Sequence, residues 1–107
     1  SVIKEPLDNL VLSSPYRLAF SSIFKTYSKL MAKNNISCIN IAPGPIKTNR
    51  LKSLVKNLKE LEKQLPMKKA GSPDEIGKFV SAIISNKIKY LSGVTINFDG
   101  SLSNSLF

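Results

Sequence analysis

The chain has 107 residues, of which 42% are hydrophobic, with one cysteine and no histidine. These numbers allow one modest core, and they exclude an internal disulfide, a Cys/His zinc site and a histidine-based catalytic triad. No apolar stretch approaches the roughly 20 residues that a membrane-spanning helix needs, and the opening residues lack the pattern of a secretory signal. We therefore expect a cytoplasmic protein with no membrane partner and no metal site.

The net charge is +9, from 16 basic against 7 acidic residues. A nucleic-acid-binding module would carry such an excess. However, 14 of the 16 basic residues are lysine, whereas specific phosphate recognition favours the guanidinium of arginine. We interpret the lysines as solvated surface charge and expect no nucleic-acid partner.

The first predicted helix follows residues 1–12, which read as a loop because they contain Pro6 and an Asp8-Asn9 pair. Ser14 followed by Pro15 predicts the helix start, since serine caps helices and a proline there loses no hydrogen bond. Apolar residues then recur at steps of three and four until about Lys33. Asn34-Asn35 is predicted to end the helix, because asparagine tolerates a left-handed cap.

A buried strand is predicted over residues 36–42, ISCINIA, which are rich in β-branched side chains and stop at Pro43-Gly44-Pro45. Cys38 is interpreted as a small buried residue of that strand. A helix is predicted within residues 49–64, with leucines on one face and lysines opposite.

The next predicted helix begins with a capping box, Ser72-Pro73-Asp74-Glu75, and continues to Ser85. A second strand is predicted over Val94–Phe98, followed by a turn at Asp99-Gly100. Strands joined by helical crossovers pair in parallel, and two strands alone do not make a stable sheet. We therefore predict an α/β fold in which residues 1–107 form a single partial domain, the end of an open parallel sheet.

Three segments resemble the short-chain dehydrogenase/reductase family. ISCINIAPGPIKT resembles the strand and loop in which that family places a Pro-Gly pair, an Ile or Val, and a Thr; here these are Pro43, Gly44, Ile46 and Thr48. LPMKKAGSPDEIGKFVSAIIS and YLSGVTINFDGS resemble the family's next helix and its closing strand, with Ser101 replacing a glycine. The resemblance implies the C-terminal portion of a Rossmann-like doubly wound parallel sheet, whose N-terminal nucleotide-binding half is absent from these residues.

The resemblance also implies a cofactor site for NAD or NADP in the full-length protein. The main chain of Ile46 is expected to bind the nicotinamide carboxamide, with Thr48 adding a hydroxyl and the Pro43-Gly44 pair letting the backbone approach closely. An ungapped count back from residue 36 places the family's catalytic tyrosine at Ser13 and its lysine at Arg17. Arg17 is then expected to contact the cofactor ribose or a developing oxyanion.

This replacement changes the expected chemistry, because serine is far less acidic than a phenol and arginine stays protonated. IKEPLDNLVLSSPYRLAF resembles a 3-oxoacyl-acyl-carrier-protein reductase-like subgroup that carries Ser-x-x-x-Arg. The resemblance implies an NAD(P)-dependent oxidoreductase acting on a small carbonyl or alcohol substrate, although these 107 residues alone are not expected to turn over substrate. The alternative is a catalytically inactive homologue that binds cofactor or supports assembly.

Structural roles remain open for the same residues. Ser13 could bond free N–H groups at the helix start, Arg17 could form a surface salt bridge, and Thr48 could cap the following helix. The resemblance further implies a homodimer or homotetramer. The wide apolar arc of the first helix and the Leu106-Phe107 ending support association, and we expect a neighbouring subunit to bury that ending.

Overall fold

The computed structural model describes residues 12–106. The helices are α1 (Ser13–Ala32), α2 (Asn49–Leu54), α3 (Leu58–Gln64) and α4 (Pro73–Ser85), and the strands are β1 (Ile39–Pro43) and β2 (Val94–Phe98). The two strands pair in parallel, with Ile39 opposite Val94 and Pro43 opposite Phe98. This pairing confirms the predicted α/β fold with a parallel sheet.

Helix α1 starts differently from the prediction. It begins at Ser13, and its N-cap residue, Leu12, makes no side-chain capping bond. Ser14 therefore lies inside the first turn, where it is buried, and its prediction as the cap was wrong. The backbone of Leu12 is already close to helical, so the helix begins one residue before Ser14. Pro15 still lies in the first turn, where backbone N–H groups have no intrahelical partner. The predicted end is confirmed by Asn35, whose φ is 57°.

Strand β1 is shorter at its start than predicted. Ser37 and Cys38 lie before the strand and form hydrogen bonds with residues that precede β2. The Ser37 hydroxyl donates to the Leu91 carbonyl, and the Cys38 N–H donates to Ser92 Oγ at 2.9 Å. The interpretation of Cys38 as a buried strand residue is therefore corrected, since it is half-buried and precedes the strand.

The single helix predicted within residues 49–64 is two helices. Val55, between them, has extended backbone angles, and Asn57 caps α3 by accepting hydrogen bonds from the N–H groups of Lys59 and Glu60. An asparagine side chain that bonds nearby N–H groups competes with continuation of the helix, which explains the break.

Helix α4 has the predicted capping box. Ser72 Oγ accepts from the Glu75 N–H at 3.2 Å, and the Glu75 carboxylate accepts from the Ser72 N–H at 3.3 Å. The helix packs on β2 through Phe79 and Phe98, whose ring centroids lie 5.7 Å apart. Helix α1 reaches the start of the same strand, where Lys25 Nζ donates to the Gly93 carbonyl at 2.6 Å.

Few apolar side chains are buried within residues 12–106, namely Ala42, Leu65 and Ala70. Helix α1 leaves most of its apolar stripe exposed: Leu18, Phe20, Ile23, Tyr27 and Leu30. So little core agrees with the prediction that this sheet is part of a larger one. None of the helices in this described range is long and apolar enough to cross a membrane.

Candidate functional site

The last residue of β1 and the loop that follows it contain four of the predicted site residues, and the first turn of the loop is set by close backbone contact. The Gly44 N–H donates to the Phe98 carbonyl at 3.1 Å, which continues the pairing of the two strands. A Cβ at Gly44 would lie 2.8 Å from the Cβ of Asp99 and 2.9 Å from its Cα. Gly44 is therefore required by the approach of the loop to the exit of β2.

Ile46 forms an isolated parallel bridge with Gly71. The Lys47 N–H donates to the Gly71 carbonyl and the Gly71 N–H donates to the Pro45 carbonyl, both at 2.9 Å. In parallel pairing of this kind, the N–H and C=O of the central residue, Ile46, point away from the partner strand. Neither group has a hydrogen-bond partner within residues 12–106. Ile46 therefore offers one donor and one acceptor side by side, the complement of a carboxamide.

Glu62 holds this loop against α3. Its Oε1 accepts from Lys47 Nζ at 2.7 Å and from the Ala70 N–H at 3.0 Å. The bond from Lys47, and after it the Ala70 N–H, lowers the pKa of the Glu62 carboxyl below its ordinary value. Sequence reasoning missed this contact, because no short motif relates residues that are 15 positions apart in the two elements.

Thr48 caps α2. Its Oγ1 accepts from the Leu51 N–H at 3.2 Å, which confirms the capping role left open by the sequence. A threonine hydroxyl has one proton and two lone pairs, so the cap leaves its proton available to a ligand.

Ser13 and Arg17 lie one turn apart on α1 and contact each other. Arg17 Nε donates to Ser13 Oγ at 3.0 Å. Neither ion pair found within residues 12–106 involves Arg17, so the surface salt bridge suggested for it is not seen there. The serine oxygen accepts a bond from a permanent cation, and its own proton stays free to be donated.

The structure brings the site residues together in two groups, Ser13 with Arg17 and the loop 43–48, and no hydrogen bond or ion pair within the described residues joins the groups. Only residues 33–38 separate the end of α1 from β1. In an α/β crossover the helix is expected to run back along the sheet, with its first turn toward the edge where β1 ends. Open α/β sheets bind ligands at that carboxyl edge.

A cavity of about 500 Å³ adjoins the loop at the same edge. Its walls include Ile46, Met67, Lys69 and Asn97. The Oδ1 of Asn97 is buried and has no hydrogen-bond partner among residues 12–106. No sequence motif marks this cavity, because the residues that line it come from three separate segments of the chain. No group of three or more His, Cys, Asp or Glu residues that could hold a metal occurs among the described residues.

A family model described as enoyl-(acyl carrier protein) reductase matches residues 7–103. The chain is 38% identical over 80 residues to the 3-oxoacyl-acyl-carrier-protein reductase FabG of Chlamydia trachomatis, covering 74% of this chain and 32% of that protein. It is 27% identical over 115 residues to the NADPH-dependent reductase BacG of Bacillus subtilis, covering 96% of this chain and 44% of that protein.

Solved structures show the same fold. YwfH, an NADPH-dependent reductase involved in bacilysin biosynthesis, superposes with a TM-score of 0.90 and 28% identity, covering 99% of this chain and 45% of that chain. The L-sorbose reductase of Gluconobacter frateurii gives a TM-score of 0.83 at 22% identity, covering 98% and 45%.

The parallel strands joined by helical crossovers are part of a Rossmann-like α/β fold. The chain belongs to the short-chain dehydrogenase/reductase family and is similar to its 3-oxoacyl-acyl-carrier-protein reductases. It spans about a third of the length of these FabG relatives and less than half of BacG.

Proposed function

We propose that the full-length protein is an NAD(P)-dependent oxidoreductase that reduces a small carbonyl substrate. The observation that carries this proposal is the main chain of Ile46, whose N–H and C=O face away from the Gly71 bridge and have no partner within residues 12–106. A nicotinamide carboxamide fits that pair of groups. The proposal is supported by the relatives FabG and BacG, whose names describe reductases.

Each site residue then has a specific task. The main chain of Ile46 orients the carboxamide, the Thr48 hydroxyl donates to it, and Pro43-Gly44 shape the loop. A guanidinium has five N–H groups, so Arg17 keeps donors that its bond to Ser13 does not use. We assign these remaining donors to the ribose or the substrate oxygen. The bound nucleotide supplies the hydride that reduces the carbonyl carbon.

Ser13 and Arg17 stabilise the oxygen of the carbonyl as negative charge develops there. The Ser13 hydroxyl, held by Arg17 Nε at 3.0 Å, donates its proton to a hydrogen bond with that oxygen. Arginine does not release a proton at neutral pH, and serine is a very weak acid. The proton that completes the alcohol therefore comes from water, whereas the usual family mechanism takes it from a tyrosine.

The Arg17→Ala variant of the full-length protein tests the assignment. We expect NADPH or NADH to bind about 1–3 kcal/mol more weakly, the range for a lost charged hydrogen bond. Titration calorimetry measures this loss, and Lys29→Ala, an exposed position on the same helix, is the control. Equal affinities for wild type and Arg17→Ala would show that Arg17 is only a surface residue.

A second candidate is a homologue that binds nucleotide without turnover and serves in assembly. It is favoured by the absence of any tyrosine at the Ser13 position, which removes the family's proton donor. Oxidation of NADPH in the presence of acetoacetyl thioesters and simple ketones separates the two. Nucleotide binding with no oxidation of NADPH for any carbonyl would support the second candidate.

A further inference from the structure

The positive charge of the chain is concentrated beside the site. Residues 47–69, here called the basic segment, contain 8 of the 16 basic residues but only 2 of the 7 acidic ones. The segment therefore carries a net charge of +6, two thirds of the total of +9, in 23 of 107 residues. A general lysine-rich composition does not by itself produce so uneven a distribution.

Both glutamates of the basic segment are already neutralised. Glu62 pairs with Lys47 at 2.7 Å, and Glu60 pairs with Lys63 at 2.8 Å. Six cations remain without an ion-pair partner in the described part of the chain, and all are exposed: Arg50, Lys52, Lys56, Lys59, Lys68 and Lys69. Lys68 Nζ donates to the Lys63 carbonyl, a contact that leaves its charge in place.

The basic segment is physically joined to the candidate site. It begins in the loop after β1, where Lys47 bonds Gly71 and Thr48 caps α2. At its other end, Met67 and Lys69 line the cavity of about 500 Å³ that Ile46 also lines. Two carboxylates, Asp99 and Glu75, also line this cavity. The Asp99 oxygens accept from the main-chain N–H groups of Ser101 and Ser103, and a Glu75 oxygen accepts from the Ser72 N–H.

We infer that the basic segment recruits carbonyl substrates that carry anionic groups, either phosphate or carboxylate. This inference rests on the proposed oxidoreductase function and names the substrate class for the same site. A cluster of exposed charges of one sign raises the local concentration of oppositely charged ligands and their association rates. A small anion is favoured over a nucleic acid, because only one of the six unpaired cations is an arginine and because the segment borders a cavity of small-molecule size.

Matched pairs of carbonyl compounds test the inference on the full-length protein saturated with NADP⁺. The pairs are 2-oxoglutarate with its dimethyl ester, and dihydroxyacetone phosphate with dihydroxyacetone. Ligand-observed NMR titration measures association without requiring turnover. We expect the charged member of at least one pair to bind about 10-fold more tightly at low salt, and the advantage to shrink at about 0.5 M salt because the charges are screened.

A triple variant, Lys52→Gln with Lys56→Gln and Lys59→Gln, should remove most of that advantage. The control replaces three exposed lysines outside the basic segment, Lys29, Lys78 and Lys89, and should keep it. A preference confined to dihydroxyacetone phosphate would identify phosphate recognition, and one confined to 2-oxoglutarate would identify carboxylate recognition.

Equal binding within both pairs, or an advantage that the triple variant retains, would overturn the inference. NADP⁺ affinity is measured separately for each variant. Normal nucleotide affinity with no preference for charge would contradict the inference alone, whereas loss of nucleotide binding by the wild-type protein would contradict the proposed function itself.

Discussion

Close contacts at the carboxyl edge explain why two glycines flank the candidate site. A side chain at Gly44 would collide with Asp99, and one at Gly71 would lie 2.8 Å from Cδ1 of Ile46. Hydrogen bonds from the Gly44 N–H to Phe98 and from the Gly71 N–H to Pro45 hold the loop 43–48 in place while leaving the main chain of Ile46 facing outward. The glycines therefore act on the site through backbone position.

Glu62 makes the stability of the fold depend on pH. Its folded-state pKa is lowered from 4.5, chiefly by Lys47, so it stabilises the fold above pH 4.5 and loses that effect as pH falls through the lowered value. We expect Glu62→Gln to unfold at lower urea concentration than wild type at pH 7, and the two midpoints to converge on acidification.

Urea unfolding of the full-length protein at a series of pH values measures the effect of Glu62→Gln. The control is Glu60→Gln, whose ion pair with Lys63 is more exposed and should contribute less. A constant difference between Glu62→Gln and wild type at every pH would refute the electrostatic role.

At the scale of elements, local capping decides where the helices between the two strands begin and end. Thr48, Asn57 and Ser72 cap α2, α3 and α4 in turn. The break between α2 and α3 turns the basic segment into two short helices, which contain no fully buried residue. Such elements are held by their caps and by Glu62 more than by a core of their own.

Ser72→Ala removes half of the capping box of α4. We expect it to lower the free energy of unfolding by about 1 kcal/mol, because the Glu75 N–H loses its acceptor. Chemical denaturation of the full-length protein measures the loss. Ser81→Ala, at an exposed position within the same helix, should be neutral or slightly stabilising, and an equal loss in both variants would show that the cap contributes nothing.

At the scale of the molecule, the described part exposes more large apolar side chains than a monomer of this size normally does. The stripe of α1 is uncovered, and Leu106 is 90% exposed. Phe107, which the sequence predicts to be buried with it, lies outside the described residues. These surfaces are available to the remainder of the subunit and to other subunits, and the homo-oligomer remains a prediction.

Leu106→Asp combined with Phe107→Asp tests the homo-oligomer. If a neighbouring subunit covers this ending, the double variant should shift the full-length protein to smaller species, because two charges would be buried in an apolar contact. Size-exclusion chromatography with light scattering measures the mass. Leu54→Asp, at a position that is also exposed, controls for the added charge. An unchanged mass for the double variant, or a wild-type protein that is monomeric at micromolar concentration, would contradict the prediction.

The pattern of residues along the chain predicted the parallel pairing, the family and the order of the elements, except that one predicted helix is divided into α2 and α3. Periodicity identified α1 and α4, the capping box placed the start of α4, and β-branched residues located β1 and β2. These features depend on interactions between residues a few positions apart, which a single sequence displays directly. The same holds for the loop 43–48, whose composition resembles a known motif.

The pairing of the polar groups at the site became visible only in the folded structure. The bridge between Ile46 and Gly71 and the bond from Lys47 to Glu62 were not predicted from the sequence. The bond between Ser13 and Arg17 selects among roles that the sequence left open. The first two join residues that are distant along the chain, and the third depends on the side-chain rotamers within α1. Local sequence patterns show none of these contacts, because each depends on how the folded chain places one segment or side chain against another.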